Sequence, residues 1–305
     1  QYHEIVDKVG EILSKQWLKE PPKLHGGGLS DIISAMKMGL DMKKLDKDTR
    51  YRMVQFFVGA PDSMIERWFD SDKIKAVMAS HCMPANFVSL HNPGASLAML
   101  HHAVGQIDGQ KGEWGIVKGG MGAITGAMAK SAEAKGVVIK TNAAVAKILT
   151  ENGGVTGAKL ENGEEIKAKI IASNVEPKTT FLKMLGAKDL PVEFAKDISA
   201  IRQESASLRM NLALKGVPEF ACLPGKEVGD QHKSGIYFIE SKDHLEQAYR
   251  SARAGIPANP PMIESIIPSM SDDSLTDEPG THVMSLLCKY MPYELADGKN
   301  WDDEK

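Results

Sequence analysis

The segment WGIVKGGMGAITGAMAKSAEAKGVVIKTNAAVAKILTENGGVTGAKLENGEEIKAKIIA, residues 114–172, carries two patterns in succession. The first is an apolar run at 114–117, the glycine turn Gly119-Gly120-Met121-Gly122, and an Ala-rich helical stretch over 124–135. Gly136 stands where a C-terminal helix cap belongs, and the β-branched run Val137-Val138-Ile139 predicts a buried parallel strand. Together these spell a β-α-β unit. The second pattern is an antiparallel meander, with strand-like runs at 145–150, 155–160 and 164–171. Asn152-Gly153-Gly154 and Asn162-Gly163 supply the hairpin turns between them. The last run turns apolar on both faces at Ile170-Ile171-Ala172, as a strand does on leaving a half-exposed meander for a buried sheet.

Upstream, the first 110 or so residues read as helical. Ser30 and Asp31 are placed to cap a helix whose apolar positions Ile32, Ile33, Met36 and Leu40 recur at helical spacing. Pro61 fits a first-turn position ahead of Met64, Ile65, Trp68 and Phe69, and Leu97, Leu100 and Val104 make a further stripe. Met36, Met38, Met42 and Met53 read as adaptable core filler, the competing reading being the wall of a pocket for an apolar substrate. Downstream, helices are expected from Pro177 to Leu185, over 191–198 and over 244–254, with strands at 207–214, 236–239, 262–267 and 283–287. That order suggests an α+β layer distinct from the helical block.

Composition narrows the functional classes. At 305 residues the chain can hold about two domains, and 42% hydrophobic with 25% charged residues is ordinary for a globular protein. A net charge of −3 lacks the basic excess of phosphate-driven binding, so no nucleic-acid partner is expected. Cys82, Cys222 and Cys288 are far apart and odd in number, which predicts free thiols and a reducing compartment. No run reaches the about 18 apolar residues of a membrane span. The chain opens Gln1-Tyr2 and ends Glu304-Lys305, and both ends are expected to be cuts within a longer protein.

Three motifs compete for a chemical role. Gly119-Gly120-Met121-Gly122 resembles a dinucleotide fingerprint, but the final glycine would fall at Thr125 and no acidic residue follows Ile139. On spacing, close packing is the better reading. His25-Gly26-Gly27-Gly28 matches the oxyanion loop of esterases, and Gly94-Ala95-Ser96-Leu97-Ala98 nearly matches a nucleophile elbow. A serine hydrolase using Ser96 is therefore the alternative activity, opposed by Pro93 just before the elbow and by Ala98 in place of its last glycine. His101-His102, His81 and His91 form no metal motif, because adjacent helical residues point about 100° apart.

The stretch HHAVGQIDGQKGEWGIVKGGMGAITGAMAKSAEAKGVVIKTNAAVAKI (101–148), with IIASNVEPKTTFLKML (170–185), resembles the phytoene desaturase-like FAD-dependent oxidoreductases. Within them it is most similar to the pyridine nucleotide-disulfide oxidoreductase domain-containing protein 2 branch. HGGGLSDII (25–33), WFDSDKIKA (68–76), IPS (267–269), HVMSLL (282–287) and KYMPY (289–293) extend the likeness over nearly the whole chain.

The resemblance implies an α/β flavoprotein of the amine oxidase type, transferring a hydride from a hydrophobic small molecule to FAD. It implies an incomplete Rossmann-type FAD-binding domain, β-α-β plus three-stranded meander, interleaved with an α+β substrate domain. Residues 1–112 would be the helical part of the substrate domain, 113–185 the centre of the FAD-binding domain, and 186–305 the substrate-domain sheet and helices. Val145 would set its backbone against adenine, with Ser173 and Asn174 as further cofactor candidates and Gly119, Gly120, Met121 and Gly122 facing flavin and substrate. The family's N-terminal fingerprint and C-terminal glycine-rich segment are not in the chain, which by itself is expected to bind FAD weakly or not at all and to be inactive. The whole protein would work in the cytoplasm, or in the mitochondrial matrix of a eukaryote, with peripheral membrane contact compatible with its Met-rich helices. A non-catalytic binding protein retaining the fold is the third reading.

Overall fold

A computed structural model describes residues 2–23, 25–83, 86–107, 109–111, 115–203 and 207–303. Along the chain run helices α1 (Tyr2–Trp17), α2 (Leu29–Lys43), α3 (Lys47–Val58), α4 (Pro61–Trp68) and α5 (Asp72–His81). A 3-10 helix at Ala95–Leu100 leads into α6 (His101–Val104), the small hairpin β1 (Gln106–Ile107) and β2 (Gln110–Lys111), and α7 (Gly122–Glu133). Next come β3 (Val145–Glu151), β4 (Gly154–Leu160), β5 (Glu165–Lys167), a π-type helix Lys178–Gly186, and α8 (Val192–Ala200). The order closes with β6 (Ser207–Lys215), α9 (Asp230–Lys233), β7 (Ile236–Phe238), α10 (Lys242–Arg253), β8 (Met262–Ile266) and β9 (Thr281–Lys289). These elements form two compact units, residues 1–123 with 205–305, and residues 124–204. Among the described residues no helix is long and apolar enough to cross a membrane.

In the first unit, helical periodicity builds the core. Ile5, Val6, Val9 and Leu13 make one buried stripe on α1, which joins Phe56, Ile65, Leu100, Leu245 and Tyr290. Asp46 caps α3 by accepting from the Thr49 amide at 2.9 Å, and Pro61 takes the first position of α4 as its fixed φ favours. The sheet is antiparallel with strand order β6-β9-β8-β7. One face packs Leu208, Leu212, Ile236, Met284, Leu286 and Cys288 into a second apolar cluster. The opposite face sets Arg209, Leu287, Glu264 and Tyr237 in a single row across the four strands.

Helix α2 departs from expectation twice. Its N-cap is Gly28 rather than Ser30, and Asp31 sits one turn in, accepting from the Gly28 and Lys23 amides at 2.9 Å each. Its apolar stripe is bare: Ile32, Ile33, Met36 and Leu40 are all exposed, and no residue of α2 is buried. Periodicity marks a face that could be covered but cannot say that anything covers it. Of the methionines read as core filler, Met53 is buried and Met42 packs against the core, while Met36 is exposed.

The second unit contains the meander, ordered β3-β4-β5. Asn152 (φ 51°) and Gly153 (φ 77°) make its first turn, the left-handed pair that suits a two-residue hairpin. The third strand stops at Lys167, and the expected continuation through Ile170 and Ile171 forms no ladder. The β-α-β expectation is corrected as well. Helix α7 is present, but residues 115–117 and 137–139 belong to no strand, Trp114 lies outside the described residues, and Val138 is 82% exposed. A strand exists through ladder hydrogen bonds to a neighbour, and among the described residues none lies alongside these runs.

Candidate functional site

The glycine turn belongs to the first unit and is held from one side. Gly119 (φ 83°) and Gly120 (φ 76°) both take left-handed backbone that a side chain would strain. The Gly119 amide donates to Asp272 Oδ2 at 2.6 Å. A Cβ built on Gly120 would lie 3.1 Å from Leu275 Cδ2, so the turn sits closely against the 272–275 loop. Gly122 opens α7, and Met121 between them is 74% exposed. Asp272 itself is buried, and its Oδ1 takes the Ser274 amide at 3.1 Å and the Ser274 hydroxyl at 2.7 Å. The Ser274 and Gly119 hydrogen bonds hold its carboxyl below the usual carboxylate range. The Asp-x-Ser spacing, an aspartate capping its own local turn, was the signal available in the sequence.

Val145 begins β3, the edge strand of the meander, and lies opposite Leu160. The Glu161 amide donates to the Ala144 carbonyl at 2.9 Å, and the Leu160 amide turns toward β5 to donate to Glu164 O at 2.8 Å. Val145 and Leu160 are therefore a non-hydrogen-bonded pair, and the Val145 N–H and C=O point away from β4. A register shift between Val145 and Lys147 makes a bulge just after it, which bends the strand end. Among the described residues no strand pairs with that outer edge. The result is a donor and an acceptor side by side on a half-buried edge residue that no strand pairs.

Ser173 belongs to the same unit. Its hydroxyl is 2.9 Å from Thr180 Oγ1 and accepts from the Val175 amide at 3.2 Å. Thr180 is buried in the helix Lys178–Gly186, which packs against β3, so Ser173 is tied to the helix that supports Val145's strand. Asn174 is exposed on the turn between them.

The other motifs are occupied structurally. Ser96 is wholly buried on the 3-10 helix, and its hydroxyl donates to the Gly59 carbonyl at 2.9 Å. A nucleophile needs an approach path and a base, and this hydroxyl has neither. The Gly28 amide, one of the expected oxyanion donors, is spent on Asp31. His232 and His244 each accept a backbone amide at Nδ1 and donate Nε2–H to a proline carbonyl at 2.9 Å, so both ring nitrogens are engaged. Among the described residues no group of three or more His, Cys, Asp or Glu is placed to hold a metal.

One titratable cluster escaped the sequence. Lys289 on β9 is buried, with Nζ 2.8 Å from Glu264 Oε2 and 2.9 Å from both the carbonyl and the hydroxyl of Ser80 at the end of α5. Burial depresses its pKa and Glu264 opposes that shift. Beside it, His81 Nε2 lies 3.1 Å from the Tyr237 hydroxyl, and burial pushes that phenol up to about 12. Alternation along β9 marks Lys289 as facing the same side as Leu287, but nothing in sequence announces the carbonyl of Ser80, 209 residues away.

Residues 8–206 match the family described as flavin containing amine oxidoreductase, and the chain belongs to that family. It is 35% identical over 291 residues to the pyridine nucleotide-disulfide oxidoreductase domain-containing protein 2 of Rattus norvegicus, a match covering 92% of this chain and 50% of the relative. The chain thus spans about half the length of the curated relatives it matches over most of its own length. Over 67 residues, 22% of this chain and 13% of the relative, it is 39% identical to the phytoene desaturase (neurosporene-forming) of Cereibacter sphaeroides. The crystal structure of an oxidoreductase from Methanosarcina mazei shares the fold, with a TM-score of 0.52 at 17% identity over 90% of this chain and 58% of that one.

Proposed function

We propose that the chain is part of an FAD-dependent oxidoreductase acting on an apolar substrate. Family membership makes it an oxidoreductase of flavin chemistry. The finer reading is supported best by the free backbone N–H and C=O of Val145 on the open edge of the meander. A donor and an acceptor on one extended residue match the edge of an adenine, so the residues present fit that end of FAD. Ser173 and Asn174 would line the same end, and residues 113–185 would be the middle of the FAD-binding domain. FAD, when bound, supplies an acceptor for a hydride, and the protein supplies orientation and exclusion of water. The turn from Gly119 to Gly122 would offer its backbone to flavin and substrate, where a Cβ would intrude. An apolar substrate is supported by the matched stretch of a relative named for phytoene, a hydrocarbon.

The test uses the complete polypeptide that carries this chain. Denaturation should release flavin, identified as FAD by chromatography. Val145→Pro removes the outward N–H without removing a β3–β4 ladder bond, and should weaken FAD binding about ten-fold while the far-UV spectrum is kept. A colourless wild-type protein releasing no flavin would refute the assignment.

A further inference from the structure

The geometry points to Asp272 as a positioning residue for the proposed flavin site: its carboxylate holds the Gly119–Gly122 turn in the shape that would face the cofactor. The inference rests on the function proposed above. Three observations carry it. First, the Gly119 amide donates directly to the Asp272 carboxylate, with N to Oδ2 at 2.6 Å. Second, Asp272 is buried and its other oxygen is fixed by the Ser274 amide and hydroxyl, so the carboxylate cannot swing away from Gly119 without leaving those partners. Third, Leu275 of the same loop closes on Gly120, where a Cβ would lie 3.1 Å from Leu275 Cδ2 and one of the two would have to give way.

Two adjacent glycines with positive φ are the least constrained backbone a chain can carry. Left to themselves they would sample many shapes, and ordering them on ligand binding would weaken that binding. Asp272, 153 residues further on, supplies the order in advance. Both its oxygens are spent on Gly119 and Ser274, so its effect on the site would pass through the turn.

The experiment compares Asp272→Ala, Asp272→Asn and Gly120→Ala in the complete polypeptide with its bound flavin. Asparagine keeps one acceptor oxygen and loses the charge, so it should rescue part of what alanine loses. Amide hydrogen exchange across 119–122 should quicken about ten-fold or more in Asp272→Ala and less in Asp272→Asn. The visible flavin bands should shift in the same order, and flavin should dissociate several-fold faster. Gly120→Ala disturbs the same turn from the Leu275 side, and should shift the bands although Asp272 is intact. Unchanged exchange in Asp272→Ala would overturn the inference, as would faster exchange with wild-type flavin bands and affinity. A wild-type protein without flavin would instead remove the functional reading beneath it, which the released-flavin measurement detects separately.

Discussion

The Lys289 ammonium lies 2.9 Å from both the carbonyl and the hydroxyl oxygen of Ser80, tying the central strand β9 to the last turn of α5. A cation at a helix C-terminus is favourably placed, and Glu264 at 2.8 Å completes the pairing. Lys289→Met should destabilise the first unit by roughly 3 kcal/mol, because Glu264 and the Ser80 carbonyl lose their partner. Lys289→Met with Glu264→Gln should recover part of that loss. Urea unfolding midpoints measure both, and a single variant as stable as wild type would show the pairing to be without net effect.

Alkaline stability follows from buried phenols. Burial raises Tyr237 from 10.0 to about 12, and raises Tyr2 and Tyr290 as well. Each folded value lies above its unfolded one, so the stability these groups contribute is complete below about pH 10 and is lost as pH climbs toward and past 12. Lys289, with its folded value depressed, acts in the opposite sense, but it is one proton against three. Thermal unfolding midpoints should therefore fall above pH 10, and Tyr237→Phe should make that fall shallower. An unaltered slope in the variant would contradict the assignment.

Glu176 contributes to the acid response of the second unit. It accepts from the Lys178 and Thr179 amides at 2.8 and 2.5 Å, at the start of the helix Lys178–Gly186. Hydrogen bonds led by Thr179 hold its carboxyl at about 2, against an ordinary 4.5. Its contribution is thus present above pH 4.5 and is lost as pH falls toward 2. Glu176→Gln should be less stable than wild type at neutral pH, with the two unfolding curves converging in acid. Curves that stay parallel from pH 6 to 2, an interval of about four units, would rule this out.

Gly157 is where β4 meets β5 without room for a side chain, since a Cβ there would fall 2.3 Å from the Ile166 carbonyl oxygen. Gly157→Ala should cost about 2 kcal/mol and loosen β5 first. Faster amide exchange at 165–167, with β6–β9 unaffected, is the expected pattern.

Ser96 offers a test against acyl chemistry. With its hydroxyl sealed against Gly59, Ser96→Ala should cost about 1 kcal/mol of stability, and a fluorophosphonate probe should leave the wild-type protein unlabelled. Labelling at Ser96 would restore the hydrolase reading.

The legibility of the sequence tracked how local each interaction is. Asn152-Gly153 dictates a hairpin by its own backbone preferences, and Pro61 marks a helix start in the same way. Strand β6 pairs with β9 over some seventy residues, and no local pattern could choose that neighbour over β7. The bare stripe of α2 and the unpaired Val137-Val138-Ile139 share another lesson: hydrophobicity states a preference for cover, not its presence. At the candidate site, Gly119-Gly120 could be read directly. Asp272 could not, since its contact with Gly119 spans 153 residues.

Among the described residues no strand flanks Val137, Val138 and Ile139, a short exposed greasy ribbon in which the Val137 amide closes onto the Ala132 carbonyl at 3.1 Å while Val138 and Ile139 have no ladder partner. Such ribbons recruit their own kind, so concentrated solutions of this polypeptide should cloud through self-association that starts there. A lysine in place of Val138 should keep those solutions clear, because like charges stacked along a growing fibril repel one another.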